Sequence, residues 1–264
     1  LRLIERTEGR FKVAYSISGT ALEQFSLYAP EVIESFQALA QTGCVEFLNE
    51  TYYHSLASLI DKDEFVSQVD MHRKKIAELF DYQPKVFRNT ELIYSDEIAK
   101  SVKQMGFKVQ LAEGAKHVLA WRSPNYVYAN YPDGDLTLLL KNFQLSDDIA
   151  FRFSQHSWQG FPLTSEKFVS WLSQIENPDC INLFMDYETF GEHQWQQTGI
   201  FDFLEHLPFE VLNRSDFDFA TPSEVAERYT VRDKVSSVSP MSWADEERDL
   251  TAWLGNDLQN DSTA

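Results

Sequence analysis

Four side chains able to move protons or grip a sugar fall within eight residues: Asp186, Glu188, Glu192 and His193. Tyr187, Phe190 and Trp195 are interleaved with them, and Gly191 lets the backbone turn. Carboxylic acids serve as nucleophiles or proton donors, and aromatic rings offer flat apolar faces that suit sugars as well as core packing. The apolar run Ile181, Leu183, Phe184 and Met185, around the polar Asn182, leads into this cluster with the length of a buried strand. Acidic groups at the carboxyl end of a buried parallel strand sit where α/β barrels place their chemistry. An isolated Asp-x-Glu could instead cap the next helix. The density of this cluster argues for a site.

The commonest carboxylate chemistry needs a pair. In retaining glycoside hydrolysis one carboxylate attacks the anomeric carbon and a neutral carboxylic acid protonates the leaving oxygen. Glu91 is the best partner for Asp186, because it also closes an apolar strand (Val86, Phe87) just before a helix. The two carboxyls are then expected to face each other at one barrel mouth. Glu46 lies on a third strand, where it could hold substrate hydroxyls or bond a backbone amide. Arg88 reads as a neighbour of the site or as an ion-pair partner for nearby acids. His54 reads as a rim or core histidine, His72 as packed on a helix, and Glu224 as a helix cap.

The elements that must carry these groups alternate along the chain. Strands are expected at Phe11–Ser18, Cys44–Leu48, Lys85–Tyr94, Phe107–Leu111, Leu136–Leu140 and through the 180s. Helices are expected over 20–41 with a break at Pro30, from Asp61 along the stripe Phe65, Val69, His72, Ile76 and Leu79, and after Ser95. Further helices should start at Thr164 or Ser165 and at Thr198, a short strand should run Phe217–Ala220, and Thr221-Pro-Ser-Glu224 spells a capping box. Such alternation argues a parallel α/β architecture. Val231–Pro240 reads as a linker and Asn256–Ala264 as a frayed end. Leu1–Gly9 reads as the tail of a helix with no initiating Met and no signal peptide, so a first strand is expected upstream and a cytoplasmic location is favoured.

With 264 residues, 43% hydrophobic and 24% charged, the chain can bury one sizeable core. A net charge of −18 supplies no basic face for nucleic acid and would be repelled by an anionic membrane surface. No apolar run reaches the roughly 18 residues of a membrane-spanning helix. Cys44 and Cys180 read as buried reduced thiols rather than a disulfide. The six His are scattered with no His-x3-His pair, so no metal or cofactor is expected, and a metal-dependent polysaccharide deacetylase would lack its ligands.

On these residues the chain resembles glycoside hydrolase family 57, most closely its α-amylase-type members, over its whole length. Gly43-Cys-Val-Glu46 is similar to the family's second conserved region, Phe87-Arg-Asn-Thr-Glu91 to its third and Asp186-Tyr-Glu-Thr-Phe-Gly191 to its fourth. Trp243 and Trp253-Leu-Gly255 are similar to its fifth. The resemblance implies Glu91 as nucleophile and Asp186 as general acid/base, with Arg88 and Glu188 lining the sugar site. Glu46, His193, Trp195 and Trp253 complete the expected substrate contacts. The implied fold is an incomplete (β/α)7 barrel over residues 1–230 without its first strand, with a linker and C-terminal segment (231–264) packing near it. The family's His-Gln-Pro motif, which belongs to that first strand, does not occur in this sequence. The implied partner is an α-glucan or malto-oligosaccharide, processed with retention by hydrolysis or transfer. The alternative is a degenerate α-glucan-binding barrel without turnover.

Overall fold

A computed structural model describes residues 1–214 and 216–263. Its strands are β1 (Val13–Tyr15), β2 (Val45–Phe47), β3 (Val86–Arg88), β4 (Val109–Glu113), β5 (Tyr128–Asn130), β6 (Thr137–Lys141) and β7 (Asp233–Val235). β1 pairs in parallel with β2, Val13 opposite Val45. An isolated parallel bridge from Asn49 to Phe87 carries that pair on to β3, and β3, β4 and β6 follow in parallel. β1 pairs along one edge only among the described residues. Helices alternate with the parallel strands, as the α/β reading expects.

Local chemistry explains the main supports. Asp61 caps the helix Lys62–Phe80 by accepting from the backbone N–H groups of Asp63 and Glu64, at 2.8 and 3.0 Å. That helix buries Phe65, Val69, His72, Ile76 and Phe80 at a spacing of one per turn. Phe80 stacks on Phe47 of β2 with centroids 4.5 Å apart, which ties helix to strand. Each such buried ring contributes about 1.5–3 kcal/mol. Pro30 ends the preceding helix at Tyr28 and opens the next, Pro30–Ala40. Thr221 and Glu224 form the expected capping box of the helix Pro222–Arg228.

Four expectations change. The 180s run is not a buried ladder strand: only Asn182 bridges to Lys141 at the end of β6, and residues 181–185 are half-buried. The run is still extended, because Ile181, Leu183 and Met185 face one apolar cluster while Cys180 and Phe184 face another. Phe217–Ala220 forms no strand either, its phenylalanines packing against the same helical cluster as Ile181. The expected linker contains β7, which pairs in parallel with β5, and Met241 beyond it bridges to Tyr94. Polar residues at the surface-facing positions of β7 had concealed it: Asp233 and Lys234 are exposed and only Val235 is buried. Finally, the expected frayed end holds a short helix, Asp257–Thr263; Ala264 lies outside the described residues.

β5 is a departure from the all-parallel scheme, being antiparallel to β6. The turn between them uses Gly134 at φ +82°, a conformation that favours glycine. β6 therefore pairs with β5 along its first residues and with Asn182 at its last. Both cysteines are free, Cys44 buried and Cys180 half-buried.

Candidate active site

β3 ends abruptly at Arg88, and the abruptness places Glu91. Asn89 donates to the Ile93 carbonyl at 3.0 Å and to the Ser58 hydroxyl at 2.9 Å, closing a tight turn through Thr90–Leu92. Leu92 and Ile93 are buried and pull the turn inward. Glu91 and Leu92 both take the left-handed conformation, at φ +55° and +52°. Each costs roughly 1–2 kcal/mol in an L-residue. Consecutive strain of this kind persists only where surrounding structure over-determines it, and such sites are disproportionately functional.

The Glu91 carboxylate is held at both oxygens. Nε2 of His54 lies 2.8 Å from Oε1, and the indole Nε1–H of Trp243 donates to Oε2 at 2.8 Å. Burial pushes Glu91 upward in pKa, but those two hydrogen bonds and the Arg88 charge outweigh it and hold the carboxyl below its ordinary value. Arg88 is itself buried, over the rings of Phe184 (5.2 Å) and Trp243 (5.3 Å).

Asp186 lines the same cavity, of about 210 Å³, with Lys141, Asp147, Phe151, Phe184, Trp243 and Arg248. Its pKa moves the other way. Desolvation raises it, Arg88 opposes the rise, and the charges of Glu188 and Glu91 add to it. The two carboxyls thus share one pocket, one held below its ordinary pKa and the other above it.

Of the other expected contacts, Arg88 is within electrostatic reach of both carboxyls, and Glu188 and His193 of Asp186. His193 is exposed and stacks on Phe151, centroids 6.4 Å apart. Trp195 is exposed beside them on the chain without lining the cavity. Glu46 is elsewhere: its carboxyl accepts from the Ser223 backbone N–H at 2.9 Å and also bonds the Ser223 hydroxyl, capping the helix Pro222–Arg228. Burial raises the Glu46 pKa against those hydrogen bonds. Trp253 does not line the cavity and packs on the central apolar cluster. The backbone-amide alternative is the one Glu46 takes.

Residues that the sequence reading undervalued fill their places. Trp243 forms a wall of the pocket, fixed by its backbone N–H on the Glu91 carbonyl (3.2 Å) and by the Ser242 hydroxyl on that same carbonyl (2.9 Å). Arg248 clamps this segment to Asp147 at 3.1 Å. His54, at φ +51°, reaches Glu91 rather than the core, and Glu50 stands behind it with Nδ1 of His54 3.0 Å from its Oε2. The signal for the last pair was Glu50 and His54 four apart just after a buried strand. Among the described residues no group of three His, Cys, Asp or Glu side chains is placed to hold a metal ion, which a metal-dependent deacetylase requires.

The profile of "Glycosyl hydrolase family 57" matches residues 1–237. A protein of Methanocaldococcus jannaschii, named as a candidate alpha-amylase, is 48% identical over 262 residues, covering 98% of this chain and 55% of its own length. The chain therefore spans about half of that relative. Among solved structures, the 4-alpha-glucanotransferase of Thermococcus litoralis superposes with a TM-score of 0.73 at 20% identity, over 90% of this chain and 37% of that one. A branching enzyme of Pyrococcus horikoshii superposes at 0.72 and 13% identity, over 98% of this chain and 68% of that one. At such identities these structures speak to the fold, and both share it.

Proposed function

Because the chain belongs to glycosyl hydrolase family 57, we propose that it carries the catalytic centre of a retaining α-glucan-acting enzyme, with Glu91 as nucleophile and Asp186 as general acid/base. The observation that carries this reading is one pocket holding two carboxyls whose pKa values are pushed in opposite directions. Retaining chemistry needs that division at the start of the cycle.

The Glu91 carboxylate attacks the anomeric carbon while the glycosidic oxygen leaves with the proton of Asp186. A glycosyl ester results, and the charge on Glu91 is gone. With that charge removed, Asp186 loses one of the groups that raised its pKa. It then takes a proton from water, or from an acceptor sugar, as that oxygen attacks and the ester bond breaks. Water gives hydrolysis and a sugar gives transfer. Arg88, shared electrostatically by both carboxyls, and the aromatic wall of Phe184 and Trp243 supply a fixed charge and an apolar face for the ring.

The test is stereochemical. In the protein at its natural full length, α-glucan products should keep the α configuration. Glu91→Ala should abolish turnover, and azide should restore part of it with inverted product. Inverted product from the unmutated protein would remove Glu91 from the nucleophile's role.

A further inference from the structure

Glu50 is a deeply buried carboxylate near the pocket, 1% exposed, and it does not itself line the cavity. An ion removed from water this completely is tolerated only when it is fully partnered. Its partners come from four elements. Oε1 accepts from the Ser16 hydroxyl at 2.8 Å, just after β1. Oε2 lies 3.0 Å from Nδ1 of His54 and 3.8 Å from the guanidinium of Arg88 on β3. His72, on the helix Lys62–Phe80, presents Nδ1 to the Glu50 backbone N–H at 3.4 Å. His54 and Arg88, the cationic partners of Glu50, also act on Glu91, so the buried carboxylate is linked to the pocket through them.

We propose that Glu50 is a positioning residue for the nucleophile: it fixes His54 as a doubly protonated imidazolium whose Nε2–H is aimed at Glu91. This rests on the reading of Glu91 as nucleophile. The ring is fixed from both ends, Nδ1 on Glu50 and Nε2 on Glu91, and the left-handed backbone at His54 turns it into that span. The hydrogen bonds to Glu50 and then to Glu91 raise His54 to about 9, against burial and the Arg88 charge. Glu50 itself is held below its ordinary value: burial pushes it up, and His54, Arg88 and His72 outweigh that.

The consequence falls on the second chemical step. During the first, an electron pair of Glu91 forms a bond to the anomeric carbon as the glycosidic bond breaks, and the leaving oxygen takes the proton of Asp186. During the second, water bonds the anomeric carbon, its proton passes to Asp186, and the ester electron pair returns to Glu91. The proton on His54 stays where it is throughout. A fixed positive charge 2.8 Å from Oε1 of that carboxylate stabilises the charge as it returns.

The experiment is Glu50→Gln in the protein at its natural full length, read in two ways. NMR titration of the His54 ring nitrogens reports protonation without turnover, and the midpoint should fall from about 9 to about 8 or below. With an α-glucosyl fluoride, whose leaving group needs no proton, the alkaline limb of kcat, which includes ester breakdown, should move to lower pH as His54 loses its proton earlier. Glu50→Asp should restore that limb part-way. An unmoved His54 titration in a folded E50Q protein overturns the proposal, as does lost activity with an unmoved alkaline limb, which is the mark of a purely structural ion pair. Should E50Q not fold, His54→Gln removes the imidazolium alone, and an unmoved acid limb there overturns the proposal equally. Failure of the nucleophile reading is separable: E91A would then keep its turnover while the His54 titration in E50Q still moved.

Discussion

Replacing Trp243 by Phe removes one donor from Glu91 and little else. Trp243→Phe deletes the Nε1–H that donates to Oε2 at 2.8 Å, while an aromatic ring remains against Phe184, whose centroid is 5.4 Å away. The backbone and Ser242 contacts on the Glu91 carbonyl do not involve the indole and keep the segment in place. A hydrogen bond to a charged group contributes about 1.5–3 kcal/mol. With about half the charge returned to Glu91 in the transition state of ester breakdown, about 1 kcal/mol of that is lost, or about five-fold in rate. Ester formation starts from the full carboxylate, so losing the donor destabilises its ground state more than its transition state. That step should hold or quicken at pH values where Glu91 stays ionised. The covalent intermediate should therefore accumulate in W243F, and the acid limb of the pH profile should move upward, because a cause of the lowered Glu91 pKa is gone. Rapid-mixing intact mass spectrometry with an activated α-glucosyl donor measures the trapped fraction. An unchanged fraction with both steps slowed alike, or an acid limb moved downward, would refute the reasoning.

Glu46→Ala should cost about 1–2 kcal/mol of stability, as loss of a helix cap does, and leave kcat/KM unchanged; denaturant unfolding and steady-state kinetics decide it, and a lost sugar contact would show instead as raised KM. His72 is fully buried and bonds the Ile17 carbonyl through Nε2 at 2.7 Å, and burial holds its pKa below 6.5. The folded state then binds fewer protons than the unfolded one below that pH, so stability should fall as pH drops through about 6.5, by up to about 1.4 kcal/mol per pH unit. His72→Gln should flatten that slope in urea titrations across pH 5–7. His54 has the opposite sign: its raised folded pKa makes a contribution fully present below 6.5 and lost as pH rises towards about 9. Stability curves of His54→Gln and the unmutated protein should therefore converge over that window.

The helices were legible because their signals are local. Ser95, Thr164 and Thr221 each cap the helix they precede, and the stripe from Phe65 to Ile76 is buried as its period requires. The α/β class followed from alternation, and Glu91 and Asp186 from residue type at the ends of apolar runs. Long-range pairings were not legible. β7 finds β5 across about a hundred residues, with only Val235 buried to betray it. The 180s run looked like a strand because its side chains alternate between two apolar clusters, a pattern that survives without the backbone ladder. Glu46 looked like a site residue because a carboxylate on a buried strand needs a partner, and nothing local shows that Ser223 supplies it. His54 was undervalued for the same reason: its two carboxylates are four and thirty-seven residues away, and only the first is visible nearby.

The segment Met241–Arg248 reaches back to Glu91 over a separation of 152 residues. Contacts so distant in sequence close late, because loop-closure entropy must be met before they stabilise anything. As the chain is synthesised, the Glu91 turn and the Asp186 region emerge well before Trp243 exists to donate to Glu91. The parallel sheet can therefore assemble on the ribosome while the pocket is still missing a side. On the function proposed above, the site is complete only once the Met241–Arg248 segment has closed over its two carboxyls.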